Sequence, residues 1–447
     1  MAVVIIVIYV LLFMLLQRSR MNKIACRSGI LILSFWSLCL LVSTFNPYGL
    51  FPVSTYVYVL LILNVVSFTI GFLSKRNKYK SLYAVNFDLG IDKFLSSKIY
   101  IIAMICIIVI TWFLTYQQRS YVLMYNLGYL RQNFYTAMFA GKPLLAFIYV
   151  NLLQPAYEFS LFLICYHIVY RRDIKHILLL SMFVIPFMFI SGGRTRAMML
   201  FFYFAFIVIG NTLLNKANDT SSILNFRVKH LLGITFGFVC LFFLFSYTSV
   251  LRLGADELNK ESMSAGIEKS VTQICTYCTG SFRAFEYALD HDYVDKIDGF
   301  KFGRATLGGI ESFVERIVRH LTGIQMPNVT DKTVMMLQNN EVIVGNGEES
   351  EFNYAYTNVL YNYFDFGVFG VIFFPFLFGR FFKKYLDFAC ANPSIYSLAL
   401  IAYLFEIGIY SVFSLLTATD PASIPYILLL IYLAKQNKKS LHRVSKV

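Results

Sequence analysis

The segment 191–196 has the sequence Ser-Gly-Gly-Arg-Thr-Arg, which combines residue types suited to binding an anion. Its two glycines let the backbone turn tightly and expose N–H groups just before an apolar stretch begins. Arg194 and Arg196 add guanidinium groups, which bind phosphate oxygens in a planar, two-pronged fashion. With Gly193, they form a predicted phosphate-binding site. The alternative is a tight interhelical turn whose arginines reach lipid headgroups.

Other arginines could contribute to the same anionic site. Arg252 has the strongest case because it stands at the end of an apolar stretch, which would fix its depth. For the rest, a solvated position or a surface ion pair is the alternative interpretation. They are Arg283, Arg304 and Arg319.

A base that removes a proton from a hydroxyl is the second chemical requirement if the reaction is transfer to a hydroxyl. Histidine titrates near neutral pH, which favours His320, although an ordinary polar surface position explains it as well. Glu349 and Glu351 precede an apolar stretch, and a solvated acidic run is their alternative. Asp365 is the fourth candidate base. It is predicted near the hydrocarbon boundary, where an unpaired charge is costly, so we expect it to have a partner.

The sequence predicts no metal and no cofactor. Cys275 and Cys278 form a single C-x-x-C pair, whereas a zinc site would require a second pair nearby. A disulfide between the two or simple packing within a helix are the remaining interpretations.

The elements that must position these residues are apolar. The chain is 58% hydrophobic and 14% charged, which excludes an ordinary water-soluble fold. Most of its apolar stretches approach the roughly 20 residues that cross a bilayer as a helix. We therefore predict an all-α polytopic membrane protein with about eleven spans, in a range of about ten to thirteen. The stretches are 1–16, 29–45, 53–73, 98–117, 145–169, 176–190, 196–214, 229–251, 362–382, 395–416 and 422–434.

Basic residues follow the first apolar stretch and every second one after it, including the last. Because Lys and Arg concentrate on the cytoplasmic side, the pattern predicts an outer N-terminus and a cytoplasmic C-terminus. The net charge of +14 then requires no nucleic-acid partner, since basic residues at membrane ends serve topology and anionic lipid. The predicted divisions are spans in 1–251, a large outer loop in 252–361, spans in 362–434 and a basic cytoplasmic tail in 435–447.

Two segments of the large loop are predicted to be helical, 256–290 and 306–322. In the second, Leu307, Ile310 and Leu321 recur at near-helical spacing together with Phe313 and Ile317. Arginines and His320 occupy another face of the same helix.

Three features together resemble the Wzy-type O-antigen, or oligosaccharide repeat-unit, polymerases. They are the Ser-Gly-Gly-Arg-Thr turn, the large outer loop, and an Asn…Asp-Phe-Gly-x-x-Gly motif from Asn358 to Gly370 followed by Gly379-Arg380. The resemblance implies a periplasmic reaction at the bacterial inner membrane. A growing glycan would move from undecaprenyl pyrophosphate to the sugar of another lipid-linked repeat unit, without metal or nucleotide sugar.

The resemblance also implies roles for particular residues. The family's turn arginine corresponds to Arg194, and the basic residues of its loop correspond less closely to Arg252, Arg283, Arg304 and Arg319. His320 is the nearest analogue of a loop histidine in the related O-antigen ligases. A chain-length regulator and a flippase are the implied protein partners.

Two rival functions remain open from the sequence. An O-antigen ligase would use similar residues but transfer the glycan to lipid A core. A polysaccharide flippase or other secondary transporter is the alternative from another class, although transporters commonly have internal repeats that this sequence lacks.

Overall fold

The structure is a computed structural model that describes most of the chain. The described residues are 1–19, 23–46, 49–74, 95, 97–125, 130, 133–171, 173–190, 196, 199–200, 202–204, 206–207, 246, 260–324, 326, 333, 337, 342–345, 351–352, 356–392 and 394–444.

The described part of the chain is helical, as predicted, apart from one short antiparallel ladder. The helices are α1 (Ala2–Arg18), α2 (Lys23–Phe45), α3 (Thr55–Leu73), α4 (Lys98–Tyr125), α5 (Phe134–Phe139), α6 (Pro143–Ile148), α7 (Gln154–Tyr166), α8 (Ile174–Phe189), α9 (Lys260–Asp290), α10 (Tyr293–Lys296), α11 (Gly308–Thr322), α12 (Asn358–Phe366), α13 (Val368–Ala391), α14 (Ile395–Tyr410), α15 (Leu416–Thr419) and α16 (Ser423–Val444). Single π-helical turns, Tyr149–Leu153 and His167–Arg171, adjoin α7, and the ladder pairs β1 (Val342–Ile343) with β2 (Glu351–Phe352).

Four helices in the described residues are long and apolar enough to cross a membrane, or five if α12 and α13 count as one bent span. The four are α2, α3, α4 and the continuous segment Pro143–Val169. Helices α1, α8 and α14 are apolar but shorter. The predicted seventh and eighth spans, 196–214 and 229–251, fall largely outside the described residues, and the count of eleven stays a prediction.

The predicted ninth span, 362–382, has the wrong boundary. The chain bends by 120° between α12 and α13, and the long helix begins only at Val368. Gly367 lies at the bend with a φ of 58°, a left-handed value that glycine adopts without a side-chain clash. Near the C-terminus, α16 continues to Val444, so the described part of the predicted tail 435–447 is helical.

Both helices predicted in the large loop are present. α9 ends at Asp290 and α11 spans Gly308–Thr322. The residues 256–259 of the first prediction lie outside the described part.

The chain divides into two compact units, one formed by Met1–Asp92 with Thr276–Val447 and the other by Lys93–Cys275. In the first unit, α3 and α13 lie side by side and run in the same direction. The ring pairs Phe68–Phe378 and Phe72–Phe382, with centroids 5.9 and 5.8 Å apart, advance together along both helices. Gly71 and Gly379 allow the close approach, because a Cβ on Gly71 would lie 2.0 Å from the Phe376 carbonyl oxygen.

Other helix pairs also run parallel. In the first unit, Trp36 of α2 donates from its indole nitrogen to Ser411 Oγ, just beyond α14, and Ile32 adjoins Gly408. In the second unit, Trp112 and Gln118 of α4 donate to carbonyl oxygens of Met182 and Phe189, at the middle and end of α8. Each parallel pair joins two odd-numbered or two even-numbered predicted spans, so these directions agree with the alternation predicted from the sequence.

Candidate functional site

Three asparagines of the first unit meet between helices in an otherwise apolar setting. Asn358 and Asn362 of α12 both donate from Nδ2 to Asn64 Oδ1 of α3, at 3.3 and 3.5 Å. All three side chains are buried. Thr306, which precedes α11, donates from Oγ1 to Asn362 Oδ1 at 3.2 Å. We call Asn64, Asn358, Asn362 and Thr306 the amide cluster.

The end of α14 holds this cluster in place. The last carbonyl groups of a helix lack partners within the helix and need donors from elsewhere. The Ser411 carbonyl, just past α14, accepts the Asn358 backbone N–H at 2.9 Å and the Thr357 hydroxyl at 3.3 Å. Thr417 donates to the Thr306 carbonyl at 2.9 Å. The end of α14 at Tyr410 therefore anchors the first turn of α12 through the Ser411 carbonyl.

A chamber of about 520 Å³ lies between α2, α3, α13, α14 and α16, and the amide cluster lines part of it. The rest of its lining is almost entirely apolar, with Leu33, Val65, Phe378, Leu404 and Ile427 among the contributing residues. The volume falls within the range of about 300–1,000 Å³ that is typical of small-molecule sites. An apolar space with a few hydrogen-bonding groups suits an amphiphilic ligand.

Asp365 has the partner that its predicted position required. Its side chain is fully buried, and its two oxygens accept the backbone N–H groups of Ala305 and Thr306 at 2.9 and 2.8 Å. Backbone bonds from Lys301 and Phe302 to the end of α12 reinforce this contact. Asp365 thus secures the turn that carries Thr306.

Arg283 is buried within the protein. Its guanidinium group donates to Phe51 O, Ser43 Oγ, Ser43 O, Thr279 O and Asn46 Oδ1. Burial lowers the pKa of Arg283, while Tyr58 and Glu286 oppose that shift. Since guanidinium has five N–H donors, these bonds occupy all of them. Arg283 joins α9 to the connection between α2 and α3.

Two further arginines predicted to bind pyrophosphate make ion pairs with acidic residues of α11. Arg304 pairs with Glu311, and Arg319 pairs with Glu315 at 3.4 Å. Both arginine side chains are about half exposed, so water screens these pairs. The guanidinium groups of Arg304 and Arg319 therefore remain accessible at the protein surface.

Arg196 belongs to the second unit, where aromatic rings surround it. It donates to the Tyr149 hydroxyl at 2.8 Å and to the Phe187 carbonyl at 3.3 Å. Its guanidinium carbon also lies 4.5 Å from the Phe187 ring centroid, a favourable cation–π distance. Tyr157 donates to the Arg196 carbonyl at 2.8 Å. These contacts fix the point at which the predicted turn 191–196 ends.

Of the remaining predicted site residues, two lie in described elements and four lie outside the described part of the chain. His320 lies in the last turn of α11 and Glu351 lies in β2. Gly193, Arg194, Arg252 and Glu349 lie outside the described residues. Of the predicted site residues, Asn358, Asp365 and Arg304 lie near Thr306, which is in the same turn as Arg304. In the described part of the chain, no group of three or more His, Cys, Asp or Glu residues could hold a metal ion.

Sequence reasoning missed Asn64, Asn362 and Thr306. Asn64 did carry a signal, because a lone carboxamide inside an apolar span needs a hydrogen-bonding partner. Asn362 lies four residues after Asn358 and so faces the same side of a helix. Nothing local marks Thr306, whose role depends on a tertiary contact.

The chain matches no known protein-family model, no curated protein and no solved structure.

Proposed function

We propose that this protein is a membrane glycosyltransferase that polymerises lipid-linked oligosaccharide repeat units. It moves a growing glycan from undecaprenyl pyrophosphate to the sugar of another lipid-linked unit, on the periplasmic face of a bacterial inner membrane. The observation that supports this best is the apolar chamber lined at one part by the amide cluster. Such a chamber can hold part of a lipid chain while carboxamides bind hydroxyl or phosphate oxygens.

In the proposed reaction, the acceptor hydroxyl oxygen forms a bond to the anomeric carbon of the donor glycan. The bond from that carbon to the pyrophosphate oxygen breaks, and the lipid pyrophosphate leaves with the electron pair. Fixed cationic groups stabilise the developing charge, and the proposed group is Arg194, the residue to which the family resemblance assigns this role. A base accepts the hydroxyl proton.

The base is best sought among His320, Glu349 and Glu351. Asp365 is less suited to the role, because it is fully buried and both its oxygens already accept backbone N–H groups. It acts as a positioning residue for Thr306 and α12. Asn358 is proposed to contact the substrate from the wall of the chamber.

The test uses purified protein in liposomes supplied with lipid-linked repeat units. Longer lipid-linked chains are the expected product. Movement of the substrate across the bilayer without bond formation would instead identify a flippase, and transfer only to lipid A core would identify a ligase.

Arg194→Ala tests the proposed pyrophosphate site in the same assay. We expect chain extension to be lost while the purified protein remains folded, because the leaving group loses its bidentate cation. Arg119→Ala is the matched control, since Arg119 is an exposed arginine of α4. Normal chain lengths from a folded Arg194→Ala protein would contradict the site.

A further inference from the structure

Helix α11 turns its apolar side away from the protein. Ile310, Val314 and Leu321 are exposed, whereas Ser312 and Glu315 are buried. Positions 310, 314 and 321 share one face of a helix, so the exposed residues form a continuous stripe. In a water-exposed helix the polar side would normally face outward. This orientation therefore indicates an apolar medium outside α11.

The apolar surface continues onto neighbouring elements. α11 packs against α15 and α16. On α16, Leu428, Leu429 and Tyr432 are exposed, and in the turn before α11 so are Phe300 and Phe302. α16 carries the predicted span 422–434, whose outward side chains would face lipid. The stripe on α11 thus joins the predicted lipid-facing surface.

The mouth of the chamber opens on this same surface. The chamber-lining residues that are also exposed are Leu307, Ile310, Leu377 and Leu428. Each is at least 40% exposed, and all four are apolar. A mouth that opened to water would be expected to carry exposed polar side chains.

The charged residues of α11 and of the turn before it fit a position at the edge of a bilayer. Arg304 and Arg319 are paired with Glu311 and Glu315, and the arginine side chains remain about half exposed. Amphipathic helices that lie in a membrane surface carry such basic residues at headgroup level and bury their apolar face about 5–10 Å deep.

We propose that α11 lies in the plane of the membrane with its stripe Ile310, Val314 and Leu321 in the acyl chains of one leaflet. In that position it forms the rim of a lateral opening through which lipid enters the chamber. The occupant of this surface is bilayer lipid, so the inference does not depend on the proposed reaction.

Photo-cross-linking to lipid tests this arrangement in the full-length protein. Benzoylphenylalanine replaces Val314 or Leu321, and the protein is irradiated in vesicles of phosphatidylethanolamine and phosphatidylglycerol. The same replacement at Leu429, exposed on α16, serves as the comparison for a lipid-facing site, and at Asp295, an exposed acidic residue of α10, as the comparison for water.

Mass spectrometry of the cross-linked protein gives the result. We expect lipid adducts at Val314 and Leu321 several-fold above those at Asp295 and similar to those at Leu429. Adducts no more frequent than at Asp295 would overturn the proposal. Cross-linking of these two positions to a second copy of the chain would overturn it as well. Because no glycan substrate is present, failure of the polymerase proposal leaves this result unaffected.

Discussion

At the residue scale, buried polar side chains hold the described elements of the first unit together. Arg283 and Asp365 both appeared in the sequence as candidates for chemistry. The structure bonds the first to the connection between α2 and α3 and the second to the turn before α11. A charged group that is buried and fully hydrogen-bonded stabilises a fold strongly only while every partner remains.

Arg283→Lys should destabilise the protein although it keeps the positive charge. A lysine has three N–H donors at a single point, so it cannot reproduce the fork that reaches Phe51, Ser43 and Asn46. We expect a loss of about 2 kcal/mol in unfolding free energy, seen as a lower thermal midpoint in detergent. Arg304→Lys is the control and should change stability by less than about 1 kcal/mol, because its ion pair is solvent-exposed. Equal thermal midpoints for the Arg283→Lys variant and the unaltered protein would contradict this role.

Asp365→Asn separates a positioning role from a role as the base. The substitution replaces one acceptor oxygen with an NH₂ group that faces a backbone N–H of Ala305 or Thr306. We expect stability and chain extension to fall together, with a loss of about 1–3 kcal/mol in unfolding free energy. Asp295→Asn, at an exposed site, should change neither. Lost extension with an unchanged thermal midpoint would instead identify Asp365 as the base.

How far single residues can be predicted from the sequence depends on whether their signal is local. The need of Asp365 for a partner follows from its place beside an apolar stretch, and the structure confirms it. The internal bonds of Arg283 do not follow from the sequence, because its acceptors in 43–51 are distant along the chain. For the same reason, the sequence does not predict that Thr306 belongs to the amide cluster.

At the element scale, hydropathy predicts where most described helices lie but not where they break. α2 and α3 fall close to the predicted stretches 29–45 and 53–73. The bend at Gly367 was not predicted, since the residues on both sides of it are apolar and aromatic. A single glycine can continue a helix or end it, and here Gly370 packs closely against the Asn362 carbonyl on the far side of the bend.

Gly71→Ala should separate α3 from α13. The added methyl group would lie 2.0 Å from the Phe376 carbonyl oxygen and 2.7 Å from its carbon, so the backbones must move apart. We expect a loss of about 1–3 kcal/mol, measured as a lower thermal midpoint in detergent. Gly29→Ala is the matched control, because its new Cβ would meet only side-chain atoms of Phe72 and Leu16, the nearest at 3.2 Å. A Gly71→Ala variant as stable as the Gly29→Ala variant would contradict the close packing.

At the scale of the whole molecule, the sequence predicts helix direction better than it predicts a site. The parallel pairs α2 with α14, α3 with α13 and α4 with α8 all agree with the alternation of basic residues. That alternation follows from charge and hydropathy, which are local properties. Residues of α2, α3 and α11 to α16 line the chamber, and no local pattern specifies that helices so distant along the chain meet there.

In the proposed function, the chamber holds the lipid part of a lipid-linked substrate. Val65→Trp tests it by filling the chamber from α3, where Val65 is buried in the lining. Val59→Trp is the matched control, since it places the same side chain on the same helix at a position that is 46% exposed.

The deciding measurement is the rate of chain extension by the unaltered protein and these two variants in liposomes with lipid-linked repeat units. We expect extension by the unaltered protein and by Val59→Trp. For a folded Val65→Trp protein we expect a rate at least about tenfold lower, equivalent to about 1.4 kcal/mol in the activation free energy. No extension by the unaltered protein, or full activity of a folded Val65→Trp protein, would contradict a lipid site in the chamber.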